Sequence, residues 1–377
     1  MIIGILKENQ AHIASAETRV AGTPESVKKL LALGHTVRVE ADAGLLASYT
    51  NEAYLALGAS IVSRSESANA DIVLCVNTPN DLSQLKTKTV LIGMLNPFDT
   101  DGLAKLNAAG LTAFALEAAP RTSRAQSMDV LSSQANVAGY KAVLMAAAAY
   151  PRFMPMLMTA AGTVKAARVV VLGVGVAGLQ AIATAKRLGA VIEASDVRPA
   201  TKEQVESLGA KFIDVPYETA EEKDCAVGVG GYAKPMPQSW LVRQKLEVAK
   251  RVAAADIVIT TALIPGRTVP ELVTAQMVAS MKPGAVIVDM AAGRGENGSG
   301  NCALTEAGKN VIKHGVTIIG ETNIPALVAA DASALYARNV LDFLKLIINK
   351  DGALHINLED DIVKACLMCQ EGVLLRN

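Results

Sequence analysis

The sequence predicts an α/β fold built from two doubly wound parallel sheets with helices on both faces. Over residues 2–116 the junction of helix, glycine and strand recurs, and residues 167–198 read as strand, glycine-rich turn, helix and strand. Hydrophobic residues make up 51% of the chain and aromatic residues only 3%, as in helix-covered sheets. With 377 residues the chain can form two Rossmann-like domains, which we place at 1–126 with 330–377 and at 127–329.

The first domain is predicted to begin with a strand, Ile2–Ile5, followed by a helix that Thr23 caps and Pro24 opens. That helix is expected to end at Gly34, because glycine tolerates the left-handed conformation that closes many helices. The further strands of this domain are predicted at Thr36–Glu40, Ala59–Val62, Ile72–Val76, Val90–Met94 and Leu111–Leu116.

Two long helices, Ser127–Tyr150 and Ala329–Asn349, are predicted to connect the domains. After the second helix, Leu354–Leu358 and Ile362–Met368 are expected to add a β-hairpin to the first domain. Because the chain would pass from the first domain to the second and back again, the first domain would be discontinuous. A cleft would lie between the domains, which is a usual position for a ligand. The later strands of the second domain are predicted at Lys211–Val215, Ile257–Thr261, Ala285–Met290 and Thr317–Gly320.

The glycine-rich turn of the second domain has the pattern of a dinucleotide-binding site. A β-branched run, Arg168–Leu172, precedes Gly173, Gly175 and Gly178, which form G-x-G-x-x-G, and strong helix formers follow. In this pattern the first glycine permits the turn, the second lets a pyrophosphate approach, and the third packs helix on sheet. The helix N-terminus adds N–H groups and a favourable dipole. A tight turn without a ligand is the alternative interpretation.

Asp196 ends the next strand, where an acidic residue can accept both ribose hydroxyls of an adenosine. Its charge favours NAD over NADP, although Arg198 leaves the choice open because a nearby arginine can accommodate a 2′-phosphate. A second G-x-G-x-x-G stands at Gly293, Gly295 and Gly298. Turn residues follow it instead of a helix, so we interpret it as a loop.

Two polar segments are candidates for contact with a ligand. The segment 120–136 combines a cation, a carboxylate, amides and hydroxyls, although a polar helix start with an Arg–Asp pair would look the same. The segment from Val215 to Ser239 begins acidic and becomes glycine-rich, which predicts a long irregular loop. Tyr232 near its glycine-rich tip suggests a lid, and a frayed surface loop is the alternative.

Composition argues against several classes of function. The 36 basic residues balance the 36 acidic ones, so no net charge attracts nucleic acid or anionic lipid. We find no signal peptide and no apolar run of membrane-spanning length. Cys366 and Cys369 form a lone C-x-x-C without a second pair, which indicates buried thiols in a reducing cytoplasm and no metal site.

The segment from Arg121 to Gln134 contains Arg-x-Ser-Arg-Ala-Gln-Ser-Met-Asp followed by Leu-Ser-Ser-Gln. It resembles the nicotinamide-side loop of proton-translocating nicotinamide nucleotide transhydrogenases, in domain I of their α subunit, which binds NAD(H). The resemblance spans nearly the whole chain, and that family has two Rossmann-like domains and forms a dimer. Further matching motifs are Thr159–Thr163, Gly173–Gln180, Asp196–Arg198, Thr201–Val205, Gly231–Lys234 and Thr260–Gly266.

The resemblance implies roles for individual residues. Those implied to hold the nicotinamide end and couple to a partner are Arg121, Gln126, Asp129 and Ser132. Those implied to contact adenosine and pyrophosphate are Gly173, Val174, Gly175, Val176, Gly178, Asp196, Val197 and Arg198. Gly231 and Tyr232 match a mobile loop that closes over the nucleotide, and Gln244 and Leu263 match further nucleotide contacts.

The reaction implied by the resemblance is direct hydride transfer from NADH to NADP⁺ on a separate domain III. A membrane domain II couples that transfer to proton movement. The chain would then be a homodimeric component that completes no transfer alone. It would lie at the cytoplasmic face of the inner membrane, attached through its partner subunits.

Alanine dehydrogenases share this architecture and the early Glu-x-Arg-Val before Thr-Pro, found here from Glu17. Their substrate requires a lysine and a histidine to bind the carboxylate and move the proton of the amine. The lysine-bearing stretch reads Cys75–Pro79 here and the histidine region reads Gly93–Pro97, without either residue. An amino-acid substrate is therefore disfavoured. A non-catalytic NAD-binding protein stays open, but it leaves residues 121–132 without a purpose.

Overall fold

The structure, a computed structural model, describes residues 1–8, 16–227 and 234–376. The chain divides into two compact units, which are described separately. Unit 1 comprises Met1–Gln134 and Pro325–Asn377, and unit 2 comprises Ala135–Ile324. Each unit contains a mainly parallel sheet covered by helices, which confirms the predicted α/β class with two Rossmann-like domains.

The strands of the described residues follow in chain order. They are β1 (Ile2–Ile5), β2 (Thr36–Glu40), β3 (Ser60–Val62), β4 (Ile72–Asn77), β5 (Val90–Met94), β6 (Thr112–Ala115), β7 (Leu157–Thr159), β8 (Gly162–Val164), β9 (Arg168–Leu172), β10 (Val191–Ser195), β11 (Lys211–Phe212), β12 (Ile257–Thr260), β13 (Val286–Asp289), β14 (Asn310–Lys313), β15 (Val316–Ile319), β16 (Leu367–Gln370) and β17 (Val373–Leu374).

The α-helices of the described residues follow in the same order. They are α1 (Pro24–Ala32), α2 (Asn51–Leu55), α3 (Arg64–Ala68), α4 (Thr100–Ala108), α5 (Val130–Ala149), α6 (Val176–Arg187), α7 (Thr201–Ser207), α8 (Ala220–Val227), α9 (Gln238–Ala254), α10 (Ala275–Ser280), α11 (Ala329–Ile347) and α12 (Asp361–Cys366).

Unit 1 is organised around an eight-stranded sheet of order β17-β16-β6-β5-β4-β1-β2-β3. Strands β1 to β6 pair in parallel, and the C-terminal strands β16 and β17 pair antiparallel. As predicted, Thr23 caps α1, and its hydroxyl accepts the Ser26 N–H. The strand order reverses at β1, so the carboxyl ends of β1 and β4 border the crevice where such sheets bind ligands.

Unit 2 contains a seven-stranded sheet of order β11-β10-β9-β12-β13-β15-β14. All its pairs are parallel except β14 with β15. The central strands are buried on both faces: Val171 and Ile259 are 0% exposed, as their β-branched runs predict. The order reverses at β9, which places the predicted glycine turn at the switch point of the sheet.

The predicted C-terminal β-hairpin is wrong over most of its length. Residues 361–366 form α12, because Asp360 caps them: its Oδ1 accepts the N–H groups of Ile362 and Val363 at 2.9 and 3.1 Å. The hairpin consists instead of β16 and β17. Asp360 also pairs with Arg124, and this hydrogen bond lowers the pKa of the Asp360 carboxyl to about 2.

The predicted irregular loop from Val215 to Ser239 is also wrong in part, because residues 220–227 form α8. The Thr219 hydroxyl accepts the Glu222 N–H at 3.1 Å and starts this helix, while Arg243 on α9 pairs with the buried Glu222 carboxylate at 2.8 Å. Gly231 and Tyr232 lie outside the described residues.

No helix among the described residues is both long and apolar enough to cross a membrane. The five cysteines are free thiols. Cys366 and Cys369 are buried, which confirms the predicted burial of both thiols, and burial raises the pKa of the Cys366 thiol to about 12. Burial also raises the pKa of the Cys369 thiol, so neither thiol ionises near neutral pH.

Candidate functional site

The candidate nucleotide site of unit 2 is the turn between β9 and α6. Gly173 has a φ of +94°, a conformation that L side chains rarely adopt, and a Cβ there would lie 2.7 Å from the Thr261 hydroxyl. A Cβ on Gly178 would lie 2.0 Å from the Gly173 carbonyl oxygen. Glycine at these two positions is therefore explained by the turn and by the close packing of α6 on the sheet.

Gly175 has neither reason to be glycine. Its φ is −81°, and a Cβ built there would meet no described protein atom within 4 Å apart from its chain neighbours. The glycine instead leaves open space over the first turn of α6, a helix of 12 residues. The first N–H groups of a helix lack intrahelical partners and attract anions. The turn therefore fits a pyrophosphate, and with it a dinucleotide.

Asp196 follows β10 and is held by four hydrogen bonds. Its Oδ2 accepts the Val174 N–H at 2.7 Å, and its Oδ1 accepts the Arg198 N–H at 2.9 Å. The Arg198 guanidinium donates to both oxygens, from Nε and Nη2, each at 2.9 Å. A carboxylate offers about four acceptor positions, so a ribose hydroxyl can bind here only by replacing one of these donors. The sequence alone does not indicate that the Arg198 guanidinium hydrogen-bonds to the Asp196 carboxylate.

The loop after β12 contacts the glycine turn. The Thr261 hydroxyl donates to the Gly173 carbonyl at 2.7 Å. One residue on, the Ala262 N–H and carbonyl bind the Asn301 side-chain amide at 3.0 and 3.1 Å. Asn301 is fully buried and thereby fixes the loop that carries Leu263, which is 40% exposed. The position of Leu263 is thus set by an asparagine that the sequence analysis did not select.

Asn301 belongs to the second glycine-rich run, which forms a loop as predicted. The loop is organised by Asp289 at the end of β13, which is 0% exposed. A Cβ on Gly300 would lie 2.2 Å from its Oδ2. Donors to the Asp289 carboxylate are the hydroxyls of Thr260 and Thr305 and the N–H groups of Ala291, Asn301 and Cys302. The sequence could have indicated this role of Asp289, because the residue is an aspartate at the end of an apolar strand.

Two further predicted nucleotide contacts lie at the end of β10. The Gln244 side chain on α9 donates to the Ser195 hydroxyl at 3.4 Å, beside Asp196. Val197 packs in a small apolar cluster, and its carbonyl accepts the Tyr217 hydroxyl at 2.9 Å. The structure therefore places Gln244 and Val197 at the same sheet edge as the glycine turn.

A separate candidate segment is the polar segment of unit 1 that contains Arg121, Gln126, Asp129 and Ser132. Arg121 and Gln126 are exposed, whereas Asp129 and Ser132 are half-buried. The Asp129 carboxylate accepts the Ser132 N–H at 2.9 Å and the Ser132 hydroxyl at 2.6 Å, the geometry of a helix N-cap. Helix α5 therefore begins at Val130, three residues later than predicted, and Asp129 and Ser132 have a structural role in its first turn.

A buried charged network, which the sequence analysis missed, lies within unit 1. Arg19 donates to both oxygens of Glu17, at 2.8 and 2.7 Å, and to the Gln134 amide oxygen at 2.8 Å. The Asn77 side chain at the end of β4 donates to Glu17 at 2.9 Å. Arg19 and Glu17 are only 5% and 1% exposed, so each charge requires these partners.

Glu8 adjoins this network and accepts the N–H groups of Val76 and Asn77 at 2.6 and 3.1 Å. Burial, assisted by the charge of Glu17, raises the pKa of Glu8 to about 7. Glu117 has a similar environment at the neighbouring strand β5. It accepts the N–H groups of Leu95 and Asn96, just after that strand, and burial raises its pKa to about 7.

Comparison with known proteins identifies relatives over the whole chain. The family models described as alanine dehydrogenase/PNT, N-terminal and C-terminal domains, match residues 4–138 and 142–377. A curated relative from Rhodospirillum rubrum, the first part of its NAD(P) transhydrogenase subunit alpha, is 49% identical over 386 residues. That match covers 100% of this chain and 98% of the relative.

Solved structures agree with the sequence relatives. The transhydrogenase of Sinorhizobium meliloti superposes with a TM-score of 0.87 at 47% identity, covering 99% of this chain and 100% of that one. An L-alanine dehydrogenase superposes with a TM-score of 0.78 at 26% identity, covering 99% and 96%. The chain therefore belongs to the alanine dehydrogenase/PNT family, in which it is a homologue of the alpha subunit of NAD(P) transhydrogenase.

Proposed function

We propose that the chain is the NAD(H)-binding component of a proton-translocating transhydrogenase. Hydride passes directly from NADH on this chain to NADP⁺ on a separate domain III, and a membrane domain II couples the transfer to proton movement. The observation that carries the nucleotide assignment is the open space at Gly175 over the first turn of α6. Homology to transhydrogenase alpha subunits supports the assignment of the reaction.

When bound, NAD(H) supplies a transferable hydride on its nicotinamide ring, and residues of unit 2 hold its other half. Gly175 and Val176 present the start of α6 to the pyrophosphate. The Val174 N–H is engaged by Asp196, so Val174 supports the turn instead of donating to a phosphate. Asp196 binds the adenosine ribose after the Arg198 guanidinium moves off one oxygen.

The remaining predicted residues act at the reactive end and over the nucleotide. Arg121 and Gln126 are exposed and hold the nicotinamide end and the incoming partner. Asp129 and Ser132 fix the start of α5 and thereby the shape of this segment. In this proposal Gly231 and Tyr232, which lie outside the described residues, act over the bound nucleotide, and Gln244 and Leu263 add nucleotide contacts.

Direct hydride transfer requires position and the exclusion of water more than acid–base catalysis. Among the described contacts, the buried Arg19 and Glu17 bind each other and the side-chain amides of Gln134 and Asn77. In this proposal they stabilise unit 1 and take no part in a proton transfer to a substrate.

We further propose that the component is a homodimer at the cytoplasmic face of the inner membrane, attached through its partner subunits. The hairpin of β7 and β8 supports a contact with a second copy. Met158 on this hairpin is 77% exposed, and Met156 and Phe153 just before it are 59% and 58% exposed. Clustered exposed apolar side chains mark interaction surfaces. Sedimentation equilibrium of the isolated chain tests the dimer.

A pair of assays tests the proposed reaction against the alternatives. The chain is mixed with a domain III component, and exchange between NADH and an NADP⁺ analogue is followed. The same preparation is assayed for oxidation of L-alanine with NAD⁺. We expect exchange and no alanine oxidation. Alanine oxidation without exchange would assign the chain to the dehydrogenases, and nucleotide binding without either reaction would indicate a non-catalytic NAD-binding protein.

A further inference from the structure

One glycine of unit 2 lies outside both G-x-G-x-x-G runs and contacts the nucleotide turn. Gly139 is in the middle of α5, where glycine is less favourable than alanine. It is buried, and its neighbours on the same helix, Ala138 and Ala142, belong to the hydrophobic core beneath β9. Neither a helix end nor a positive φ explains a glycine here.

The close approach of Gly139 to Ala177 explains why this position is a glycine. A Cβ on Gly139 would lie 2.1 Å from the carbonyl oxygen of Ala177, 2.9 Å from its carbonyl carbon and 3.0 Å from its Cα. Ala177 is the second residue of α6 and lies in the first turn of that helix, directly after the N-cap Gly175. At Gly139, helix α5 therefore contacts the backbone of the proposed pyrophosphate site so closely that a side chain there would prevent the contact.

Further close contacts limit how far the first turn of α6 can shift away from Gly139. Gly178, the next residue, already approaches the Gly173 carbonyl so closely that a Cβ there would lie 2.0 Å from its oxygen. The Gly173 carbonyl is held in turn by the Thr261 hydroxyl at 2.7 Å. A methyl group at residue 139 must move the Ala177 peptide by about 1 Å or push α5 away, and both changes displace the turn.

We propose that Gly139 is a positioning residue for the dinucleotide, which sets α5 against the Ala177 peptide and so fixes the phosphate-binding N–H groups of α6. This inference rests on the proposed NAD(H) binding by unit 2. It assigns to the long helix a direct role in shaping the nucleotide site, and it predicts that the effect of a substitution falls on the phosphates and not on the adenosine.

The test is Gly139→Ala in the full chain, with binding of NADH and of adenosine measured by titration and thermal unfolding measured in parallel. The control is Tyr140→Phe, at an exposed side chain next to Gly139 on the same helix and outside the polar segment, which should leave both affinities unchanged. We expect Gly139→Ala to weaken NADH binding by at least about tenfold and adenosine binding by less than about threefold. We also expect a lower thermal midpoint, although alanine alone would favour the helix.

Unchanged NADH affinity in Gly139→Ala, or an equal loss for NADH and adenosine, would overturn the inference. If the variant does not fold, a crystal structure of the wild-type chain with NADH decides. Van der Waals contact between the Gly139 Cα and the Ala177 carbonyl, with α6 N–H groups on the pyrophosphate, supports it, and a gap between those backbones overturns it. Failure of the wild-type chain to bind NADH at all would count against the proposed function itself.

Discussion

At the scale of single residues, the glycines distinguish structural from functional requirements. Gly173 is explained by its φ and Gly178 by close packing, whereas no described residue explains Gly175, which we attribute to the proposed pyrophosphate. The motif predicted these positions, because its spacing follows from strand, turn and helix geometry. It could not reveal the pairing of Arg198 with Asp196, since a side chain two residues away can point to a ligand or to its neighbour.

This pairing leads to a prediction about cofactor choice. Asp196 is paired with Arg198, and in our proposal its carboxylate faces the 2′ position of the nucleotide, so NADH should bind far more tightly than NADPH. In Asp196→Ala we expect NADH affinity to fall about tenfold and NADPH affinity to rise, because Arg198 is released. Fluorescence titration with both nucleotides measures this.

The matched control is Asp214→Ala, which removes an exposed aspartate paired with Lys202 in the same unit. It should leave both affinities unchanged. Equal binding of NADH and NADPH by the wild-type chain would mean that Arg198 determines the pocket and that the role of Asp196 is misassigned.

Gln126 is the sharpest probe of the polar segment, because it is exposed while Asp129 and Ser132 also hold the start of α5. Gln126→Asn keeps the amide and shortens its reach by one methylene. We expect NADH binding within about threefold of wild type and hydride transfer reduced about a hundredfold, since a misplacement of about 1 Å can cost that much. Rapid-mixing kinetics with a domain III component measures transfer.

Gln84→Asn is the control, an exposed glutamine of unit 1 whose side chain donates to Asp81. It should change neither quantity. If Gln126→Asn transfers hydride at the wild-type rate, the segment has no role in the reaction.

At the scale of secondary-structure elements, long apolar or periodic runs were predictable and short elements were not. The buried strands β4, β9 and β12 follow from β-branched runs, and α11 follows from its apolar spacing. Elements of few residues, such as β7, β8, α3 and α10, depend on tertiary partners. The apolar pattern of Ile362–Met368 is compatible with a helix or with a strand. The Asp360 side chain caps this segment, which is helical up to Cys366.

The carboxyl edge of the unit 1 sheet predicts a dependence of stability on pH. Burial raises the pKa of Glu8 to about 7 from an ordinary 4.5, so the folded chain retains a proton that the unfolded chain releases. The stabilisation is complete below about pH 4.5 and is lost as the pH rises through about 7. Urea unfolding followed by circular dichroism should show the free energy of unfolding decreasing by about 2 kcal/mol between pH 5 and 8 from this group.

Glu8→Gln imitates the protonated carboxyl and should remove that contribution to the pH dependence. Glu25→Gln, at an exposed glutamate, is the control and should leave the slope as in wild type. A slope that is the same in Glu8→Gln and wild type would show that Glu8 ionises at its ordinary pKa.

At the scale of the whole molecule, the αβ junctions predicted two doubly wound sheets but not their strand orders. The strand order depends on how the connections between parallel strands pack against the sheet. That packing is determined by contacts between residues far apart in sequence. Both ends of the chain build unit 1, where β16 pairs with β6 after more than 250 intervening residues of sequence that include all of unit 2. The network of Arg19, Glu17, Asn77 and Gln134 could not be predicted for the same reason.

The central claim is that this chain gives a hydride from bound NADH directly to NADP⁺ on a partner component. The most direct measurement uses NADH deuterated at the transferable position, the chain and a domain III component in ordinary water, with mass spectrometry of the reduced NADP⁺ analogue. We expect the product to carry the deuterium in full and to form only when both components are present. A product without deuterium, or none with both components and both nucleotides bound, would contradict the claim.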